Sequence, residues 1–271
     1  MSDGRALART FLEQQRLLGT GWVVLSTPDT PGTPGLRPGS VQPGPGIPLT
    51  PGASPGNPES PGSRGKELPP PGISYDPPAG DLFSNDPISQ ARSVAAVAGL
   101  VAECTRCRLC EGRTHTVPGE GPDDARLVVV GEGPGRVEDE TGRPFVGPAG
   151  ELLTKILAAI DLPRERVFIC NVVKCRPPEN RVPQYDEVGA CAPYLFRQIE
   201  LLKPKVILAM GGTAAQTLLD TKQSLGALRN RIHRFRGIPV VVTYHPAALL
   251  RNPHWKRPTW DDVRTAHRLL A

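Results

Sequence analysis

The chain has 271 residues, of which only 38% are hydrophobic, and its length allows one good domain with extensions. A net charge of +5 permits nucleic acid as a partner without demanding it. No apolar run reaches the roughly eighteen residues of a membrane-spanning helix and the N-terminus lacks the apolar core of a secretory signal, so a cytoplasmic protein with reduced thiols is expected.

Residues 4–18, "GRALARTFLEQQRLL", carry Leu7, Phe11 and Leu18 on one helical face, so 1–26 is expected to form an N-terminal amphipathic segment with its own protein partner. From Thr27 to Gly80, 27 of 54 residues are proline or glycine. Such a stretch has little to bury and few backbone donors, and is expected to be a disordered or polyproline-like linker. Order is expected to resume near Asp86, whose Asp-Pro pair suits a helix start. This divides the chain into 1–26, a linker over 27–80 and a domain over 86–271.

Four short Val/Ile-rich runs follow: "RLVVVG" (126–131), "RVFICNVV" (166–173), "KVILAMGG" (205–212) and "IPVVVTYH" (238–245). Helix-like segments at 148–160, 185–202 and 211–220 separate them, and a last one spans 258–270. Buried strands alternating with helices predict a parallel sheet covered on both faces. In such sheets ligands bind beyond the carboxyl ends of the strands. The polar motifs "GEGPG", "NVVKC", "GGTAA" and "YHPAALLR" all fall at such ends. The first is a Gly-rich turn after a strand, yet it lacks the lysine of a phosphate loop and its charges are mostly acidic.

Cys104 and Cys107 form a C-x-x-C pair that Cys110 continues, and Cys175 and Cys191 follow at a distance. Four thiolates so arranged suit either zinc or an iron–sulfur cluster, and spacing alone does not choose between them. Cys170 lies inside an apolar strand and reads as a small core residue.

Seven motifs in this order, "CTRCRLCEGRT", "GEGPG", "GRPFVGPAGELL", "NVVKCRPPENR", "CAPYL", "MGGTAA" and "TYHPAALLR", resemble the family 4 uracil-DNA glycosylases over about residues 100–252. The Pro/Gly insert is outside that pattern. The resemblance implies a three-layer α/β/α sandwich with a four-stranded parallel sheet. It implies a [4Fe–4S] cluster on Cys104, Cys107, Cys175 and Cys191, structural rather than redox. It implies a monomeric repair enzyme that flips uracil out of single- or double-stranded DNA and hydrolyses its N-glycosidic bond, leaving an abasic site.

That chemistry needs a pocket that reads the base edge, a donor for the departing uracil anion and a route for water. Phe145 would be a flat floor for the ring. Asn171, unusual in an apolar strand, offers the donor and acceptor that uracil presents a match for and cytosine does not. His245 would donate to uracil O2 as charge builds there. Glu132 would stabilise the cationic sugar or orient water, with Gly133 allowing close backbone approach. Glu138 resembles the family residue that crowds the uracil 5-position, and equally reads as a solvated charge. Leu249 and Leu250 offer a wedge for the vacated stack, and Arg251, Arg231 and Arg234 a phosphate-tracking edge. His115, His233, His254 and His267 read as surface or structural.

Three other readings compete, of which a zinc-stabilised nucleotide-binding module is disfavoured by the missing phosphate-loop lysine. A second is a non-catalytic iron–sulfur DNA-binding protein, against which the set Glu132, Phe145, Asn171 and His245 argues. The third is a broader deaminated-base glycosylase of family 5, which usually lacks a carboxylate in the first motif.

Overall fold

The computed structural model describes residues 68–77 and 86–271. The N-terminal segment 1–26 and the linker over 27–67 and 78–80 lie outside the described residues. Elements follow in chain order: β1 (Pro71–Tyr75), α1 (Pro87–Gln90), α2 (Val94–Ala102), β2 (Leu127–Gly131), α3 (Arg136–Thr141), α4 (Pro148–Ala158), β3 (Phe168–Asn171), α5 (Tyr185–Leu202), β4 (Val206–Met210), α6 (Gly212–Leu219), α7 (Leu225–Leu228), β5 (Ile232–Phe235), β6 (Ile238–Thr243), α8 (Pro246–Arg251) and α9 (Lys256–Leu270).

The sheet order is β1-β5-β6-β4-β2-β3. The four strands expected from the aliphatic runs form its parallel centre, β6-β4-β2-β3. Their side chains alternate between faces as the pleat requires. Val128 and Val130 pack under α2, α5 and α6, while Leu127 and Val129 pack under α4 and α9. Two apolar layers therefore enclose one sheet, which is the expected α/β/α sandwich. Among the described residues no helix is long and apolar enough to cross a membrane.

The sheet has six strands where four are expected, and it is mixed. β5 runs antiparallel to β6 and takes its residues from the basic stretch 229–236. β1 pairs parallel with β5 and comes from within the stretch read as linker. Composition concealed β1 because "PGISY" is short and proline-flanked, and a long-range contact makes the strand. His233, buried on β5, accepts the Ile73 N–H at Nδ1 (2.9 Å), and its Nε2 lies 2.7 Å from the Leu228 carbonyl. A Cβ on Gly72 would come within 2.5 Å of that imidazole, so only glycine lets β1 close on it. Sheet contacts thus begin at residue 70, whose carbonyl accepts the Ile232 N–H (3.0 Å), ahead of the expected start near 86. The helical stretch after Asp86 is also two helices, because Ser93 caps α2 afresh through the Ala96 N–H.

From β2 the chain moves to β3 on one side, then crosses back to β4 on the other. The crevice at the carboxyl ends of β2 and β4 is therefore the topological switch point, where open α/β sheets bind ligands.

Candidate active site

One pocket opens at that switch point. It brings together Glu132, Gly133, Glu138, Phe145, Asn171 and His245, and its far wall includes Arg251. Residues from four strand ends and two loops thus meet in one place.

Gly131 ends β2 and explains the Gly-rich turn. A Cβ there would lie 2.4 Å from Asn171 Oδ1 and 2.5 Å from Phe145 Cζ. The bare backbone lets an aromatic face and an amide share one floor. Asn171 is 1% exposed, and its Oδ1 has no hydrogen-bond partner. A buried amide oxygen left unpaired is costly unless a ligand pairs with it.

Phe145 is buried and held in the left-handed region at φ 51°. That is a strained conformation for a bulky side chain, and its surroundings impose it. Arg164 donates to the Phe145 carbonyl (2.7 Å) and to the Pro144 carbonyl. Glu138 accepts from Gly135 N–H at one oxygen and from Val146 and Gly147 N–H at the other, at 3.1, 2.9 and 2.8 Å. Three backbone donors occupy its carboxylate, which joins the start of α3 to the Phe145 loop. It is not a solvated charge.

His245 follows β6 and caps α8. Its Nδ1 accepts the Ala247 N–H (3.2 Å), which leaves Nε2 to carry the proton. Burial, with help from the Arg251 charge, pushes its pKa down to about 4. The ring is therefore a neutral N–H donor at physiological pH. It stands 5.4 Å from the Phe145 ring, centroid to centroid. Glu132 accepts a hydrogen bond from the Thr213 hydroxyl across the switch point, tying the end of β2 to the start of α6.

The expected DNA-contact residues divide. Leu250 is 51% exposed near the end of α8, whereas Leu249 is 1% exposed and packs into the core against α4 and α9. Leu249 is therefore corrected from wedge to core residue, because α8 turns it inward. Arg231 lies on the segment entering β5, level with the carboxyl end of β6. Arg234 pairs in register with Pro239 near the start of β6, at the opposite end of the sheet, and bonds the Gly237 carbonyl. Its assignment to the DNA edge is corrected: β5 runs antiparallel and carries it away.

Cys104, Cys107, Cys110, Cys175 and Cys191 line a second pocket, between α2, α5 and the loop after β3. Cys170 is buried in the core on β3, as its strand position implied. Among the described residues no three ligating side chains stand at the spacing of a single metal ion. The chemistry around the sulfurs nonetheless fits an anionic cluster. Arg113 donates to Cys175 Sγ (3.3 Å), and the Lys174 N–H donates to Cys191 Sγ (3.3 Å). Lys174 itself is 1% exposed and lines the same pocket. Its ammonium donates to two neutral oxygens, Asn171 O (2.9 Å) and Gln198 Oε1 (2.7 Å). A buried cation so placed needs negative charge nearby. Burial pushes the Cys191 thiol up to about 12, so it becomes a thiolate there only against a metal's charge.

Sequence reading missed the residues that hold this geometry, namely Arg164, Thr213, Lys174 and Glu187. Glu187, with no exposed side-chain area, accepts from Arg108 Nε (3.0 Å), Arg181 (2.7 and 2.8 Å) and Gln184 N–H (2.7 Å). The Arg181 guanidinium, above all, holds its carboxyl down to about 2. This node binds the cysteine-bearing turn at Arg108 to the loop that carries Arg181 into the active-site wall. The only signal in sequence is a carboxylate three residues after Gln184, a capping-box spacing at the start of α5.

Residues 118–264 match the uracil DNA glycosylase superfamily. The chain is 51% identical over 174 residues to a type-4 uracil-DNA glycosylase of Thermotoga maritima, covering 63% of this chain and 91% of that protein. It is 47% identical over 162 residues to a type-4 uracil-DNA glycosylase of Pyrobaculum aerophilum, covering 57% of this chain and 83% of that protein. Similarity to the type-5 uracil-DNA glycosylase of the same organism is 31% over 150 residues, covering 49% of this chain and 66% of that protein. With its pocket at the switch point and its type-4 relatives matched over most of their length, the chain belongs to the uracil DNA glycosylase superfamily, in its type-4 branch.

Proposed function

We propose that this protein excises uracil from DNA by hydrolysing the N-glycosidic bond, leaving an abasic site. The observation that carries this reading is the buried, unpartnered Asn171 amide set against Phe145 and a neutral His245 in one pocket. The uracil ring lies on Phe145, and Asn171 pairs with its O4/N3–H edge. As the bond from C1′ to N1 breaks, electrons pass to the base, and the His245 Nε2–H donates to O2. A donor that is already oriented and neutral loses nothing to reorganisation as charge develops. Water adds to C1′ and loses a proton, and the uracil anion takes one up. Glu132, steadied by Thr213, places negative charge beside the cationic sugar. Gly133 lets the turn approach, and Glu138 and Arg164 fix the floor.

Cys104, Cys107, Cys175 and Cys191 are the ligands we assign to a [4Fe–4S] cluster. The five cysteines that share one pocket, with Arg113 and the Lys174 N–H donating to two of the sulfurs, support this assignment. A cluster held there would cross-link α5, the turn after α2 and the loop after β3, and Lys174, bonded to the Asn171 carbonyl, would tie that link to the base pocket. We also assign Leu250 as the wedge and Arg251 and Arg231 to phosphate, and infer a monomer acting on uracil-containing DNA. The N-terminal helix, its partner and the linker remain part of this proposal.

The test is excision from duplexes carrying a single U, hypoxanthine or T. Release of uracil without strand nicking is expected. Hypoxanthine release at a comparable rate would favour the broader family 5 activity, and no release at all the binding-only protein.

A further inference from the structure

A second aromatic surface stands at the mouth of the same pocket. Trp255 ends a short turn between α8 and α9, lines the pocket and is 36% exposed. Its indole lies flat on Tyr244, with ring centroids 4.6 Å apart and planes 10° from parallel. The Arg229 guanidinium lies over the same Tyr244 ring, 4.3 Å from its centroid. Both groups pack on the one Tyr244 ring. Arg229 is locked in turn, by Asp262 at 2.8 Å and the Pro258 carbonyl at 3.1 Å, and Asp262 also accepts from Thr243 at 2.8 Å. Core, cation, tyrosine and tryptophan therefore form one rigid column that ends in a solvent-facing indole.

An exposed tryptophan forgoes burial, and a fold that also holds it rigid has preorganised a flat face. Leu250 and Arg251, both exposed, end the helix α8 that leads into the Trp255 turn, and Arg251 also lines the pocket. When a uridine leaves the stack, the base beside it loses a stacking partner on the side now open. We propose that Trp255 is a stacking platform for the nucleobase adjacent to the extruded uridine, on the same strand, with Arg251 at the intervening phosphate. This rests on the uracil-excision reading above for where the strand runs.

The test uses the purified full chain and a single-stranded oligonucleotide with one uridine, in three versions. One is intact, one has an abasic tetrahydrofuran on the 5′ side of the uridine, and one has it on the 3′ side. Single-turnover excision separates half-saturation from the saturated rate, and fluorescence anisotropy measures binding directly. Trp255→Ala should weaken half-saturation on the intact strand roughly ten- to hundredfold, the range for loss of one stacked base. The saturated rate should change less than about threefold, since the indole touches no reacting atom. On one of the two abasic strands the difference between wild type and Trp255→Ala should vanish. Trp255→Phe should retain most of the affinity, and Trp255→Leu should behave like alanine. An equal loss on all three strands, or none on the intact one, overturns the proposal; so does a loss confined to the saturated rate, which would mean the column only supports His245. Whether wild type releases uracil reports on the function itself. The anisotropy comparison across the three strands decides Trp255 in either case.

Discussion

Substituting Gly131 by alanine tests the architecture of the base pocket with a single methyl group. The added Cβ would lie 2.4 Å from Asn171 Oδ1 and 2.5 Å and 2.7 Å from two Phe145 ring carbons. Ordinary van der Waals contact begins near 3.5 Å, so each neighbour must retreat by about 1 Å. Neither does so freely. Asn171 is fixed in β3, where Lys174 holds its carbonyl, and the Phe145 backbone is clamped by Arg164. Overpacking of this kind costs about 1–3 kcal/mol of stability, and a displacement of about 1 Å at reacting groups costs about a hundredfold in rate. Gly131→Ala should therefore lower single-turnover excision from single-stranded uracil DNA about a hundredfold, with a modest fall in Tm. The control is Gly212→Ala, at the start of α6 on the same pocket wall, whose Cβ would meet nothing within 4 Å. It should act within about threefold of wild type. Equal activity for Gly131→Ala and wild type, measured by alkaline cleavage of a labelled oligonucleotide, would show that Phe145 and Asn171 do not form the floor beneath the base.

Four further outcomes follow from the same geometry. His245→Ala should lower the saturated rate about a hundredfold with little effect on DNA binding, and the wild-type rate should not fall through loss of neutral His245 until pH nears 4. The depressed pKa also affects stability: from about pH 6.5 down to about 4 the unfolded chain binds a proton that folded His245 does not, so about 3 kcal/mol of stability present at neutral pH is lost across that window, readable by urea titration at each pH. Leu250→Ala should impair duplex far more than single-stranded substrate, whereas Leu249→Ala should lower Tm through a cavity costing about 2–5 kcal/mol. Purified protein should absorb broadly near 400 nm with about four irons per chain; Cys191→Ala should lose them and Cys170→Ala keep them, and a colourless protein with one zinc would refute the cluster.

The sequence by itself determined the parallel centre of the sheet and the strand ends that meet at the pocket. β-branched runs of four to six residues have few alternatives to a buried strand, and the helices between them leave only parallel pairing. It also singled out Asn171, because an amide among "FICNVV" is a local conflict that a ligand or a backbone cap must resolve. Tertiary structure decided everything that depends on contacts distant in sequence. β1 exists because Gly72 closes on His233, 161 positions later, and no local pattern encodes that. Leu249 and Leu250 are adjacent in an apolar pair, and only the packing of α8 on α4 turns one into core and leaves the other exposed. Arg231 and Arg234 belong to one basic run, yet the antiparallel course of β5 sends them toward opposite ends of the sheet. The Glu187 and Lys174 nodes were hidden for the same reason: a buried charge is defined by partners that the fold, not the local sequence, brings within reach.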